Sequence, residues 1–157
     1  MSQWTQVCGI IRVDDTGVLK QKYNVDLMSV LGIDAFNDEG NFYGVDLPDC
    51  VKSYPNLRFI PFGSEAAIHF EHWHNPDNTC MASDVISFFG SLRDFGEDEC
   101  ELLAKWFEDV VKEYDEKCVL VRQAVITYDC EFEKTVTITM VRDDTNELAF
   151  NMKEKIL

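Results

Sequence analysis

Residues 97–114 read EDECELLAKWFEDVVKEY, and this stretch decides the fold because it is the clearest helix in the chain. Its apolar residues recur with the period of an α-helix and therefore line one side of it. Acidic residues crowd the first turn, where the helix dipole favours negative charge. Between Phe95 and Lys117 the chain has nine acidic and three basic residues. The sequence predicts a helix with one buried face and one strongly negative face. The apolar positions are Leu102, Leu103, Trp106, Phe107, Val110, Val111 and Tyr114.

The residues that follow this helix predict a β-meander. Segments 118–128, 135–141 and 147–152 have the apolar and β-branched residues of strands, and turn-like stretches separate them. In TVTITMV (135–141), threonines alternate with apolar residues, as expected for a strand with one buried face. We therefore expect three consecutive antiparallel strands at the C-terminal end.

The residues before the helix predict further strands, at 5–13, 57–62, 66–74 and 85–94. The stretch NPDN at 75–78 has the Pro and Asx residues that β-turns prefer. We therefore expect the two segments that flank this turn to pair as a β-hairpin.

A second helix is predicted over 18–31, where apolar residues have helical spacing and Gly32 follows as a stop signal. Residues 33–57 are crowded with Gly, Asn, Asp and Pro, which predicts a long irregular loop. The resulting element order contains a βαββαβ pattern. We expect an α+β fold: an antiparallel sheet with two helices on one face, a ferredoxin-like core and extra C-terminal strands. Residues 1–157 are expected to form a single domain.

Net charge is the strongest global signal. The chain has 29 acidic and 14 basic residues, for a net charge of −15. Lys and Arg are the residues that displace counterions from phosphates, so this composition argues against direct nucleic-acid binding. An anionic membrane surface would repel the chain for the same reason. Two interpretations remain: the charge keeps the protein soluble, or it recognises a partner with a basic surface.

The six cysteines are scattered and form no CxxC pair of the kind used by zinc or redox sites. The N-terminal residues lack the basic region and long apolar run of a signal peptide, and no apolar run is long enough to cross a membrane. We expect buried thiols in a reducing cytoplasm.

All three histidines fall in HFEHWHNPDNTC (69–80). His72 and His74 are two positions apart on a predicted strand, so they would point to the same side and could ligate one metal ion. Cys80 or Asp77 would have to supply a third ligand. The alternative is a strand with its imidazoles at a solvated edge, and we favour this alternative. We therefore expect no cofactor.

Motifs for nucleophilic catalysis or phosphate binding are absent: the sequence has neither a GxSxG elbow nor a glycine-rich phosphate loop. Its carboxylate pairs fall in predicted turns, where Asp is expected for backbone hydrogen bonding. These observations favour a protein that is not an enzyme. Arg93, just before the acidic helix, is either a contact for an anion or partner, or the internal partner of an acidic neighbour.

Three stretches carry a resemblance: WTQVCGIIRVD (4–14), PFGSEAAIHF (61–70) and FFGSLRDF (88–95). On these residues the chain resembles small uncharacterised proteins of tailed phages. The resemblance implies a phage protein acting in the cytoplasm of a bacterial host. It implies no activity and no catalytic residue.

The leading hypothesis is a non-enzymatic inhibitor that uses its negative helix as a nucleic-acid mimic. It would bind a basic bacterial protein of antiviral defence or nucleic-acid handling. A second hypothesis is a protein that sequesters a nucleotide signal at Arg93 and Arg122, and a third is a metal-dependent enzyme built on His72 and His74. Self-association is a further possibility. The expected partner-binding residues are Glu97, Glu101, Glu108, Asp109, Glu113 and Arg93.

Overall fold

A computed structural model describes residues 4–15, 60, 65–74, 82–93, 96–116, 120–130 and 133–157. These residues form six strands and one helix. In chain order they are β1 (Trp4–Asp15), β2 (Glu65–His74), β3 (Ala82–Arg93), α1 (Glu97–Glu116), β4 (Leu120–Cys130), β5 (Lys134–Arg142) and β6 (Leu148–Ile156).

The six strands form one sheet with the order β2-β3-β1-β4-β5-β6, and all neighbouring pairs are antiparallel. β1 lies between β3 and β4, and α1 connects these two strands in the sequence. β2 and β3 pair along their length, which confirms the predicted hairpin. β4, β5 and β6 are consecutive neighbours, which confirms the predicted meander.

The helix lies on one face of this sheet because its apolar side and alternate residues of the strands can be buried together. Trp106 contacts Phe88 of β3 edge-on, with ring centroids 5.5 Å apart, and Phe107 contacts Phe150 of β6 at 6.3 Å. These two contacts lie on either side of the middle strands, so α1 is held across the sheet. The fully buried side chains of this core include Ile11, Ile86, Leu103, Val110, Val111, Ala124, Ile126 and Ile138.

Arg142 ties the end of α1 to the sheet. Its guanidinium donates to Oδ1 of Asp115, in the last turn of α1, at 2.5 Å. It also donates to the main-chain carbonyls of Val121 at 3.3 Å and Asn146 at 3.2 Å. A planar guanidinium can hold several acceptors at fixed angles. Arg142 therefore positions the C-terminal end of α1 against β4 and the β5–β6 turn.

The β5–β6 turn is built around Asp143. Its Oδ1 accepts hydrogen bonds from the N–H and hydroxyl of Thr145, at 2.9 and 2.7 Å, and from the N–H of Glu147 at 2.8 Å. Asn146 has a positive φ of 65°, a conformation that asparagine tolerates better than most residues. Such side-chain bonding fixes the turn, and the turn fixes the register of β6 on β5.

The antiparallel sheet and the α+β class agree with the sequence prediction. Two helices on one face and a ferredoxin-like core are wrong for the described part of the chain, which contains one helix over a six-stranded sheet. The strands β5 and β6 widen the sheet on the side of β4, and among the described residues α1 is the helix that covers its middle. The predicted helix at 18–31 and loop at 33–57 lie outside the described residues, and so does the predicted strand at 57–62 except for Ile60.

Candidate functional site

The outer surface of α1 carries the carboxylates that the sequence singles out. It comprises the residues of α1 that point away from the sheet, and Asp98 and Glu101 are exposed on it. Glu108 and Asp109 are partly exposed, with 33% and 31% of their side-chain surface accessible. Glu113 is also partly exposed, whereas the side chain of Glu97 lies outside the described residues. One side of a single rigid helix therefore presents four of the five predicted carboxylates.

Two lysines divide this surface. Lys105 Nζ lies 2.6 Å from Asp109 Oδ2, and Lys112 Nζ lies 3.5 Å from Glu108 Oε2, both at i,i+4 spacing. Exposed pairs of this kind contribute little to stability, but each reduces the local negative charge. The N-terminal half of α1 therefore keeps the strongest negative potential.

The first turn of α1 uses one of its carboxylates for structure. The main-chain N–H of Gly96 donates to Oε2 of Glu99 at 3.0 Å, in the manner of the reciprocal half of a capping box. Asp98 and Glu101 make no ion pair among the described residues. These two carboxylates can contact a partner without breaking an ion pair, whereas Glu108 and Asp109 would exchange a lysine for the partner.

A cavity of about 340 Å³ opens between α1 and strands β4, β5 and β6. Its buried side includes Tyr128, whose hydroxyl donates to the carbonyl of Cys100 at 3.1 Å. Burial, with the neighbouring Cys100 and Cys130 thiols, raises the pKa of Tyr128 above its ordinary value of 10.0. The phenol therefore stays neutral near pH 7 and is not a general base there. The rim is of mixed charge, formed by Glu101, Lys105, Glu108, Lys134 and Glu154.

The two arginines proposed to bind an anion lie far apart. Arg93 pairs with Trp4 at one end of β1, and its guanidinium carbon lies 5.9 Å from the centre of the Trp4 ring. Arg122 Nε lies 2.8 Å from the buried carboxylate of Asp14, near the other end of β1. Ten residues of strand separate the two ends by about 33 Å. Arg93 and Arg122 therefore do not form one anion site, and Arg93 does not share a surface with the carboxylates of α1.

The backbone of β2 places His72 opposite Ile86 and His74 opposite Asp84. The side chains of these two histidines are not among the described ones. His69 lies 3.2 Å from Glu71 through Nε2 and Oε1. Within the described ranges, no three His, Cys, Asp or Glu side chains are grouped as metal ligands. A metal site at His72 and His74 therefore stays a prediction.

Three cysteines of the described part, Cys8, Cys100 and Cys130, carry thiols outside any disulfide. Cys100 and Cys130 are buried as expected, whereas Cys8 is exposed, which is contrary to the expectation of buried thiols. The reason is strand alternation: Val7 and Gly9 point to the core, so Cys8 points to the opposite face.

The sheet face opposite α1 is a surface that the sequence reasoning missed. Ile10, Phe89 and Trp73 are exposed on it by 44%, 51% and 56%. The signal was available in VISFFGS (85–91), because two adjacent phenylalanines on a strand must point to opposite faces. Phe88 is buried, so Phe89 is left on the outside.

No helix among the described residues has the length and apolar character that crossing a membrane requires. No protein-family model, no curated protein and no solved structure matches the chain.

Proposed function

We propose that the chain is a non-enzymatic binding protein that presents the carboxylates of α1 to a basic surface of a bacterial protein. The observation that carries the proposal is the outer surface of α1, where Asp98 and Glu101 are exposed and Glu108 and Asp109 are partly exposed. The net charge of −15 adds long-range attraction to a cationic partner. In this proposal the protein is phage-encoded and acts in the bacterial cytoplasm. It inhibits a protein of antiviral defence or nucleic-acid handling by occupying a groove that normally holds phosphates.

The packing of α1 suits this role because the helix is held rigidly. Trp106 and Phe107 anchor it against Phe88 and Phe150, and Arg142 fixes its end. A surface that is already ordered loses little conformational entropy on binding. Carboxylates fixed along one helix can therefore offer negative charge at set positions, as a nucleic-acid strand does, although Lys105 and Lys112 interrupt them. Association through such charges is steered electrostatically and weakens as salt rises.

Charge reversal on α1 tests the proposal. The protein is immobilised, and bacterial partners that it captures at low salt are identified and purified. The affinity of the purified partner is then measured for the triple variant Glu101→Lys, Glu108→Lys, Asp109→Lys. We expect this variant to bind more than tenfold more weakly, because three attractive charges become repulsive.

The matched control is the triple variant Glu133→Lys, Asp144→Lys, Glu147→Lys, which changes three exposed acids in turns by the same net charge. It should keep most of the affinity, since its lysines lie in turns between strands and not on the outer surface of α1. Equal losses in both variants would mean that only net charge matters and would overturn the proposal for α1. An affinity that does not change between low and high salt would contradict it as well.

The cavity beside α1 favours a second candidate, a protein that sequesters a small nucleotide signal. Its volume of about 340 Å³ is within the range of ligand pockets, and Lys105 and Lys134 are on its rim. Calorimetric titration with cyclic mono- and dinucleotides tests this candidate, with Lys134→Met as the variant that should weaken binding. The absence of heat with every nucleotide would remove it.

A further inference from the structure

The sheet face opposite α1, which we call the open face, has an apolar centre. Register places Ile10 of β1 beside Val125 of β4, and Cys8 beside Phe89 of β3. The Phe89 ring contacts His69 of β2, with ring centroids 5.2 Å apart. Contiguous exposed apolar residues of this size on a folded protein commonly mark an interaction site. The exposed members are Ile10 and Phe89 on the inner strands β1 and β3, and Trp73 on the edge strand β2.

The open face also differs from α1 in charge. Among its described side chains, the acids that reach solvent are Glu71 and Asp129, and the bases include Arg12, Lys153 and Lys155. Asp14 is on the same face but is buried, in ion pairs with Arg12 and Arg122. The carboxylates of α1 lie on the other side of the sheet. A protein with a net charge of −15 repels its own copies at most orientations. The open face is a surface through which two copies can approach with little of that repulsion.

We propose that the open face binds a second copy of this chain, sheet against sheet, to form a twofold-symmetric dimer. The two acidic helices then lie on the outside of the dimer, far from each other. Because the carboxylates of α1 stay exposed, this inference is independent of the partner proposed for α1.

The charges at the two edges of the open face select the direction of the twofold axis. Glu71 lies on β2 at one edge, and Lys153 and Lys155 lie on β6 at the other. An axis across the strands would stack β6 on β6 and bring the lysines of both copies together. An axis parallel to the strands stacks β2 on β6, so that Glu71 of one copy lies near Lys153 of the other. Opposite charges therefore favour the axis that is parallel to the strands.

The area of the open face is large enough for a stable dimer. Five inter-strand spacings make the sheet roughly 24 Å wide, and strands of nine residues make it roughly 30 Å long. The product is roughly 700 Å² per copy, close to the roughly 800 Å² per partner of standard interfaces. The apolar centre and the charged edges also match the usual anatomy of an interface.

The mass of the full-length protein in solution tests the proposal. Sedimentation equilibrium or light scattering should give twice the 18.1 kDa of one chain at micromolar concentrations. Phe89→Lys should weaken self-association more than tenfold, since it places a charge in the apolar centre. Leu102→Lys is the matched control, because Leu102 is 54% exposed on the outer surface of α1, and it should leave the dimer intact. The mass of a single chain for the unmodified protein would overturn the proposal.

Two further variants test the direction of the axis. Glu71→Lys and Lys153→Glu should each weaken the dimer, and the double exchange should restore it at least in part. Cys8 is exposed near the centre of the six-stranded sheet, so the Cys8 residues of two copies would lie roughly 10 Å apart across stacked sheets. A short bis-maleimide should therefore link two chains, and Cys8→Ser should abolish the link. A dimer that forms no Cys8 cross-link and gains nothing from the double exchange would contradict this arrangement.

Discussion

The ring of Phe88 lies directly on the backbone of Gly9. The two residues are opposite each other in β3 and β1, and a Cβ atom built on Gly9 would lie 2.2 Å from Cζ of Phe88. Trp106 of α1 packs edge-on against the same ring. The missing side chain at position 9 therefore makes the room in which an aromatic residue of the sheet meets the helix.

Gly9→Ala should destabilise the fold by about 1–3 kcal/mol, because the new methyl group displaces the Phe88 ring from its packed position. Urea unfolding measures the change. When Phe88 is replaced by Leu, adding Gly9→Ala should cost less stability than it does in the unmodified protein, because the ring that meets the methyl group is gone. Cys8→Ala, on the exposed side of the same strand, is the control and should have little effect. A Gly9→Ala protein as stable as the unmodified one would show that the ring has room to move.

Arg142→Met should cost about 1–3 kcal/mol, since it removes a charge-assisted hydrogen bond to Asp115 and leaves two carbonyls without their donor. Lys105→Met is the comparison, because its ion pair with Asp109 is exposed, with 69% of the lysine side-chain surface accessible. That change should cost no more than about 0.5 kcal/mol. Similar losses from both substitutions would argue against the role of Arg142 in holding α1.

The turn at Asp143 predicts a loss of stability in acid. Hydrogen bonds from the Thr145 hydroxyl, and from the main chain of Glu147 and Thr145, lower the pKa of Asp143 below its ordinary value of 3.8. A folded-state pKa below that of the unfolded chain adds stability at pH values above 3.8, and this contribution disappears as the pH falls through the folded value. In Asp143→Asn this part of the acid-dependent loss should be absent.

Unfolding measured between about pH 5 and pH 2 checks the expectation for Asp143. Asp144→Asn makes the same change in charge at the next residue and serves as the control. If Asp143→Asn and the control lose stability in acid along the same curve, the carboxylate of Asp143 has no special part in the turn.

Tyr128 predicts the opposite behaviour in alkali. Burial raises its pKa above 10.0 in the folded protein, so the unfolded chain loses the phenol proton first. The resulting stability is fully present below pH 10 and falls as the pH rises from there towards the folded value. Tyr128→Phe should remove this alkaline component and should cost about 1 kcal/mol at neutral pH for the hydrogen bond to Cys100.

Absorbance titration of the phenols checks the prediction for Tyr128. The difference between the unmodified protein and Tyr128→Phe should be one phenol that ionises only well above pH 10, or together with unfolding. Ionisation of that phenol near pH 10 in the folded protein would contradict the prediction, because it would mean that water reaches the phenol.

The helix and the meander could be predicted because their patterns are local. Residues 97–114 repeat with a helical period, and 135–141 alternate as a half-buried strand, so each segment identifies its own buried side. Even so, the prediction that Leu102 is buried is wrong, since it is 54% exposed. A helix turns by 100° between adjacent residues, so when Leu103 points into the core Leu102 points to the edge of the buried face. β6 also extends to Ile156, beyond the predicted end at 152. Residues 153–155 are charged and do not have the pattern of a strand, but backbone hydrogen bonds to β5 keep them in the sheet as part of an edge strand.

The strand order could not be predicted in the same way. β1 pairs with β3 and β4, which are distant in the sequence, and no local pattern encodes that choice. The same limit applies to the candidate sites. The carboxylates of α1 could be predicted because the helical pattern shows which residues face outward. The distance of Arg93 from these carboxylates, and the apolar residues of the open face, depend on which side of the sheet each residue occupies.

The position of β1 at the centre of the sheet has a consequence for how the protein is made. This strand leaves the ribosome before both of its neighbours, which come from residues 82–130. A nascent chain that has not yet reached residue 82 carries an apolar strand with no described partner to pair with. We expect β1 to fold only after β3 and β4 have been made, at the slow rate that is typical of long-range β pairing. Chaperones that shield apolar segments during synthesis should therefore raise the yield of folded protein.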